Sequence, residues 1–110
     1  MNQFSEGDVV CIKGGKTRMT IWCIPNPENE IQCIWWEDGN FCNRVYHPES
    51  LVLVRHREIF TLQRGVNVSL ASGSNTFVVA DIYANMLSLE DIGTHKEYFD
   101  KEVYLFDKVR

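Results

Sequence analysis

Long apolar runs are missing from this 110-residue chain, and so is any excess of positive charge. No stretch approaches the ~20 apolar residues that a membrane-spanning helix needs. The opening MNQFSEGD has neither the basic nor the apolar region of a secretory signal, so a cytoplasmic protein is expected. Residues 1–54 carry 4 basic and 7 acidic side chains, residues 55–110 carry 7 and 8, and the net charge is −4. Neither half has the cationic surplus of a protein that neutralises many phosphates. Small basic groups at Lys13, Lys16 and Arg18, and at Arg55, Arg57 and Arg64, read first as solvated loop charges.

Metal and nucleotide signatures are missing too. Cys11, Cys23, Cys33 and Cys42 are spaced by 12, 10 and 9 residues, with no C-x-x-C knuckle among them. Three lie in strand-like runs, where cysteine behaves as a small buried hydrophobe. Reduced core thiols are therefore expected, with disulfides the alternative in an exported protein and a metal site the remaining one. The stretch GGKTRMT contains the Gly-Lys-Thr that ends a phosphate-binding loop. Such a loop also needs a glycine where Val10 stands, and a helix behind it. MTIWCI follows instead and reads as a strand, so no helix N-terminus is offered to a phosphate. The loop is read as a hairpin connection with Lys16 at its tip, and a glycine at position 15 would allow a tight or bulged turn.

Catalytic signatures are equally scarce. His47, His56 and His95 lie near loops, with no nucleophile placed beside them by a recognisable motif. Glu37-Asp38 and Glu90-Asp91 are paired carboxylates, but both pairs fall at strand ends, where turns favour polar residues. A non-enzymatic protein without cofactor or metal is expected.

What the chain does have is a repeat. At an offset of 58 residues, Phe4 lies over Leu62, Gly7 over Gly65, Val10 over Val68 and Gly15 over Gly73. Met19 then meets Phe77, Ile21 meets Val79 and Ile24 meets Ile82, all without a gap. With two short deletions, Gly39 aligns with Gly93 and Leu51-Val-Leu with Val103-Tyr-Leu, placing Leu53 over Leu105. Apolar positions match better than polar ones, as when two copies share a core and not a surface.

Each copy reads as short strands. The first has Val9–Lys13, Met19–Ile24, Ile31–Trp36, Phe41–Tyr46 and Leu51–Val54. PNPENE is a turn, EDGN carries a two-residue hairpin signal, and His47-Pro-Glu-Ser reads as one helical turn. The second has Asn67–Leu70, Thr76–Tyr83, Met86–Asp91, Lys96–Phe99 and Val103–Phe106. The fold class expected is all-β, with two tandem SH3-like five-stranded barrels, residues 1–57 and 58–110. Barrels this small have marginal cores, so the two are expected to pack together, with Ile59, Phe60 and Leu62 in or beside the interface.

At Phe4, Gly7-Asp8-Val9-Val10, Lys13, Gly15, Met19-Thr20, Cys33-Ile34-Trp35-Trp36 and Pro48-Glu-Ser-Leu51, the first copy resembles the YodC-like family of small uncharacterised bacterial proteins. Its members share a pattern F-x-x-G-D-x-V-x-L-K-S-G-G-P-x-M-T, then C-x-W-F, then P-x-x-x-L. The likeness covers about Phe4 to Val54, and Gly14-Gly15-Lys16-Thr17 stands where the family has Ser-Gly-Gly-Pro. It implies an SH3-like barrel and a bacterial or mobile-element origin, and supplies no activity.

Aromatics carry the candidate binding surface. Alternation sends Ile31, Cys33 and Trp35 to one face of their strand and Gln32, Ile34 and Trp36 to the other. Trp22 likewise opposes Ile21 and Cys23. Trp22 and Trp36 then either meet the second barrel or form a groove for a peptide or for stacked bases. Lys16, Arg18, Trp22, Trp36 and Tyr46 form the candidate binding set. The function expected is a small adaptor acting through protein–protein contacts. A nucleic-acid adaptor using the Lys/Arg loop and the tryptophans is the alternative, and a phage or mobile-element inhibitor of a host factor is a third. Thiol titration of protein unfolded without reductant is expected to find all four cysteines free. Fewer free thiols, or bound zinc by elemental analysis, would contradict it.

Overall fold

The structure is a computed structural model and describes residues 4–25, 30–58 and 61–109. Ten strands run β1 (Val9–Ile12), β2 (Arg18–Cys23), β3 (Ile31–Glu37), β4 (Asn40–Tyr46), β5 (Leu51–Arg55), β6 (Asn67–Leu70), β7 (Phe77–Tyr83), β8 (Met86–Asp91), β9 (Glu97–Glu102) and β10 (Phe106–Lys108). One 3-10 turn, Pro48–Ser50, precedes β5 and another, Val103–Leu105, precedes β10. The strands form two five-stranded antiparallel sheets, ordered β4-β3-β2-β1-β5 and β9-β8-β7-β6-β10. Strand for strand, the two orders are the same.

The repeat extends to individual hydrogen bonds. Gly7 N–H donates to the Ile21 carbonyl, as Gly65 N–H does to Val79. Ile21 N–H donates to Asp8 as Val79 does to Val66, and Gly15 N–H to Ile12 as Gly73 does to Leu70. Val10 pairs with Met19 and Val68 with Phe77. Each second strand is bulged at the same place, between Ile21 and Cys23 against β3 and between Val79 and Asp81 against β8.

Two cores result. Phe4, Val10, Met19, Ile21, Ile31, Cys33 and Leu51 form the first, with Trp35, Tyr46 and Leu53 packed against it. All five strands contribute to it and none of it comes from the second sheet, so the first sheet bends around its own core. Leu62, Val68, Phe77, Val79, Leu87, Leu89 and Phe106 form the second, together with Leu70, Leu105 and Ile34. Ile34 belongs to β3, and Trp22, Trp36 and Phe41 also pack against this second core. The outer face of the first sheet thus lies on the inner face of the second.

Several expectations need correction. Neither sheet closes into a barrel: among the described residues β4 does not pair with β5, nor β9 with β10. In the second sheet, side chains of the first enter the interior beside its own, and the edges stay apart. Val103–Leu105 is a 3-10 turn and not a strand, so Phe106, not Val103, is the counterpart of Leu51. Leu105 is fully buried from that turn, which gave the segment its strand-like apolar look. Leu53 therefore does not superpose on Leu105. In the opening loop the left-handed residue is Gly14, at φ 77°, while the second copy uses Gly73 at φ 110°. Only Cys33 of the four cysteines is buried; Cys11 and Cys42 are half-buried, and Cys23, just past the β2 bulge, is exposed. Leu62 sits in the second core in the place that Phe4 holds in the first. Ile59 and Phe60 lie outside the described residues, as do residues 26–29 of the PNPENE segment.

Gly7 and Gly65 share a left-handed backbone, at φ 91° and 83°. Their surroundings differ. A Cβ on Gly7 would stand 2.8 Å from the Tyr104 carbonyl oxygen and 2.7 Å from Arg57 Cδ, whereas one on Gly65 would meet nothing within 4 Å. Both substitutions to alanine incur backbone strain of about 1–2 kcal/mol. Gly7→Ala must also push the 3-10 turn of the second half away, so it is expected to lower the melting temperature clearly more than Gly65→Ala in parallel thermal melts. Equal effects would mean that the contact yields freely.

Candidate functional site

The five candidate residues do not converge. Lys16 and Arg18 are exposed, Lys16 in the loop after β1 and Arg18 at the start of β2, opposite Cys11. Tyr46 is half-buried on the first core, with the Arg44 guanidinium 5.9 Å from its ring centre. Trp22 and Trp36 pack against the second core, on the opposite face of the first sheet from Tyr46.

Trp36 is the hub of an aromatic cluster that spans the two sheets. Its ring lies edge-on to Phe41 at 4.8 Å, to Phe77 at 5.4 Å and to Tyr98 at 6.1 Å between centroids. Phe41 stacks on Phe77 at 5.8 Å and meets Tyr98 edge-on at 5.2 Å. Edge-to-face pairs of this kind add to the gain from burying the rings. Phe41 was absent from the candidate set, although its place was legible. The Asp38-Gly39 turn sets the register that puts Phe41 directly opposite Trp36, on the same face.

Trp22 owes its position to the β2 bulge, which takes it out of the ladder. Its carbonyl accepts a 2.5 Å hydrogen bond from Tyr104 Oη, in the 3-10 turn before β10. Burial pushes the Tyr104 phenol up from its ordinary range, and the nearby charges of Glu6 and Glu102 add to the effect, so the hydroxyl stays a donor. Lys101 completes this side, its Nζ 5.8 Å from the Trp22 ring centre and 5.2 Å from that of Phe41.

A polar seam continues the contact. The buried Thr20 hydroxyl donates to Ser72 Oγ at 2.8 Å and accepts from Ser72 N–H at 3.0 Å. Arg55 donates to the Ala71 carbonyl at 2.9 Å and forms an ion pair with Asp107. The residues expected to form a groove are thus used, for the most part, in joining the halves.

The two buried carboxylates hold loops. Asp8, fully buried, accepts from Ser5 N–H at 2.9 Å and Arg57 N–H at 2.9 Å, with His56 Nδ1 at 3.1 Å. Asp91, also buried, accepts from Asn75 Nδ2 at 3.0 Å, Gly93 N–H at 2.8 Å and Thr94 N–H at 3.1 Å. The Asn75 bond, helped by those amides, holds its carboxyl below the usual carboxylate range. Its stabilising effect is present above the ordinary carboxylate pKa and is lost as pH falls through the lowered one. Burial pushes the Cys33 thiol up to about 12, which leaves it unreactive as a thiolate near neutral pH. Among the described residues no three His, Cys, Asp or Glu side chains are grouped to hold a metal ion. No helix among them is long and apolar enough to cross a membrane.

Compared with known protein families and with curated proteins, the chain matches none.

Because Trp36 touches rings from both sheets, Trp36→Ser is expected to destabilise the whole chain. Loss of a large packed aromatic costs on the order of 3 kcal/mol, or roughly 10 °C in melting temperature for a chain of this size. A single cooperative melt, shifted down, is the expected calorimetric trace. An unchanged melting temperature would mean that the ring adds nothing to the join between the halves.

Proposed function

We propose that the protein is a small, non-enzymatic cytoplasmic adaptor that works through protein–protein contacts. Each half is read as a diverged, open SH3-like unit produced by duplication, the first related to the YodC-like family. The shared strand order, the 3-10 turn before each final strand and the matching bulges support that architecture.

One observation carries the functional reading. With its tryptophan face spent on the second sheet, the first sheet still leaves apolar side chains in water along both margins. Ile12, Val52 and Val54 are exposed along the β1–β5 margin and Val45 on β4, at 37–48% of their full surface. Exposed apolar side chains at the edges of a sheet are places where another protein can be met. The nucleic-acid alternative keeps its exposed Lys16 and Arg18 but loses the platform that it required, because Trp36 is packed among Phe41, Phe77 and Tyr98. A host-factor inhibitor is one form that a protein-binding adaptor can take.

The test is photo-crosslinking in cells that make the full chain, with a benzophenone amino acid at Val52 or Val45 and, as a control, at Thr94. Specific protein adducts from the two valine positions, absent from the control, are expected. Adducts only to nucleic acid, or a retention on oligonucleotide resin that falls steeply with salt, would overturn the reading.

A further inference from the structure

We infer that β4 is a docking strand, which takes an extended peptide segment of a partner by antiparallel strand addition, with an acidic side chain opposite Arg44. This names the site within the protein-contact reading above and rests on it.

The edge is unusually regular. β4 pairs with β3 over seven consecutive positions, from Ile31↔Tyr46 to Glu37↔Asn40, with no bulge. Its hairpin turn has φ 51° at Asp38 and 78° at Gly39, the conformation of a two-residue type I′ turn. Such a turn makes Glu37 and Asn40 a hydrogen-bonded pair, and bonded pairs alternate along an antiparallel ladder. The N–H and C=O groups of Phe41, Asn43 and Val45 therefore point away from β3. No described residue is hydrogen-bonded to them. Asn43, Arg44 and Val45 are all exposed.

The duplicated counterpart shows what a protected edge looks like. β9 occupies the same place in the second sheet, yet its pairing is bulged between Leu87 and Leu89 and Asp100 is left-handed at φ 56°. It also carries Glu97, Asp100, Lys101 and Glu102. Bulges and charges are the usual means of blocking strand addition. β4 has neither bulge nor proline, and its single charge is Arg44.

That charge selects the occupant. On an added strand, the residue facing Arg44 is favoured as Asp or Glu, and its neighbours, which face Asn43 and Val45, as threonine and a β-branched apolar residue. A second copy of the chain is a poor occupant. Seven residues offer a strip about 24 Å long and one strand wide, well short of the roughly 1,600 Å² that holds two folded proteins together. Self-pairing also brings two Arg44 side chains into one short ribbon. A peptide needs only main-chain bonds and a few side-chain contacts.

The probe is the blocked hexapeptide Thr-Val-Glu-Thr-Val-Thr, with a counterpart that has lysine for glutamate, titrated into the isotope-labelled full chain. Amide shifts concentrated at Phe41, Asn43 and Val45 are expected, with the glutamate peptide about fivefold tighter. Asn43→Pro removes an outward N–H without touching the β3 ladder and is expected to abolish the shifts. If that variant does not fold, Arg44→Glu decides, and it is expected to reverse the preference between the peptides. No shifts at millimolar peptide, shifts centred elsewhere, or an unaltered preference in Arg44→Glu would overturn the inference. So would a concentration-dependent dimer lost in Asn43→Pro, which assigns the edge to a second copy. A cellular protein captured equally by the wild type and Asn43→Pro also overturns it, while leaving the protein-contact reading intact. Capture abolished by nuclease would remove that reading itself.

Discussion

Everything in this molecule depends on the first sheet burying both of its faces. Its inner face closes over Phe4, Val10, Met19 and Ile21. Its outer face delivers Ile34, Trp36 and Phe41 to the core of the second sheet. A five-stranded sheet of this length encloses little apolar surface alone, and domains of about 50 residues are marginal for that reason. Sharing one layer between two cores raises the buried area without lengthening the chain. The consequence is dependence: the second core lacks part of its contents when the first sheet is absent.

The two sheets share strand order and most ladder positions, and differ chiefly in their side chains. Matching ladder positions keep apolar inner residues, with Cys33 in the place of Leu89 and Ile21 in the place of Val79. The outer positions diverge. Where the first sheet has Ile34 opposite Thr20, the second has Glu90 opposite Val78. Where the first bulge throws out Trp22, the second throws out Ala80, which is exposed. The first sheet is the middle layer and the second an outer one, and the side chains on one face make the difference. The polar seam of Thr20 with Ser72 and Arg55 with Asp107 adds orientation to this apolar contact; hydrogen bonds each contribute only about 1 kcal/mol net.

The same asymmetry bears on function. A tryptophan face that joins two halves cannot also be an open groove. At the sheet margins the two copies differ again, β9 being bulged and charged while β4 is straight and nearly neutral. Buried carboxylates such as Asp8 and Asp91 serve loop geometry, each satisfied by backbone amides. Polarity at these positions is structural in origin.

Alternation and offset alone determined much of this protein. The 58-residue repeat, the all-β class, the Asp38-Gly39 hairpin and the two faces of Ile31–Trp36 follow from a side-chain period of two and from turn chemistry. Those are local properties, set within a few residues. The open edges of both sheets, the 3-10 identity of Val103–Leu105 and the exposure of Cys23 were decided elsewhere. An apolar run such as VYLF is equally compatible with a strand and with a buried turn; the bond from Tyr104 to Trp22 of β2 and the burial of Leu105 in the second core select the turn. Of the candidate residues, which share residue type and not position, tertiary structure puts Trp22 and Trp36 on one face of the first sheet and Tyr46 on the other, with Lys16 in a loop and Arg18 at a strand end. Which of two apolar faces is covered depends on the surface of the other half. No residue within the first half records that surface.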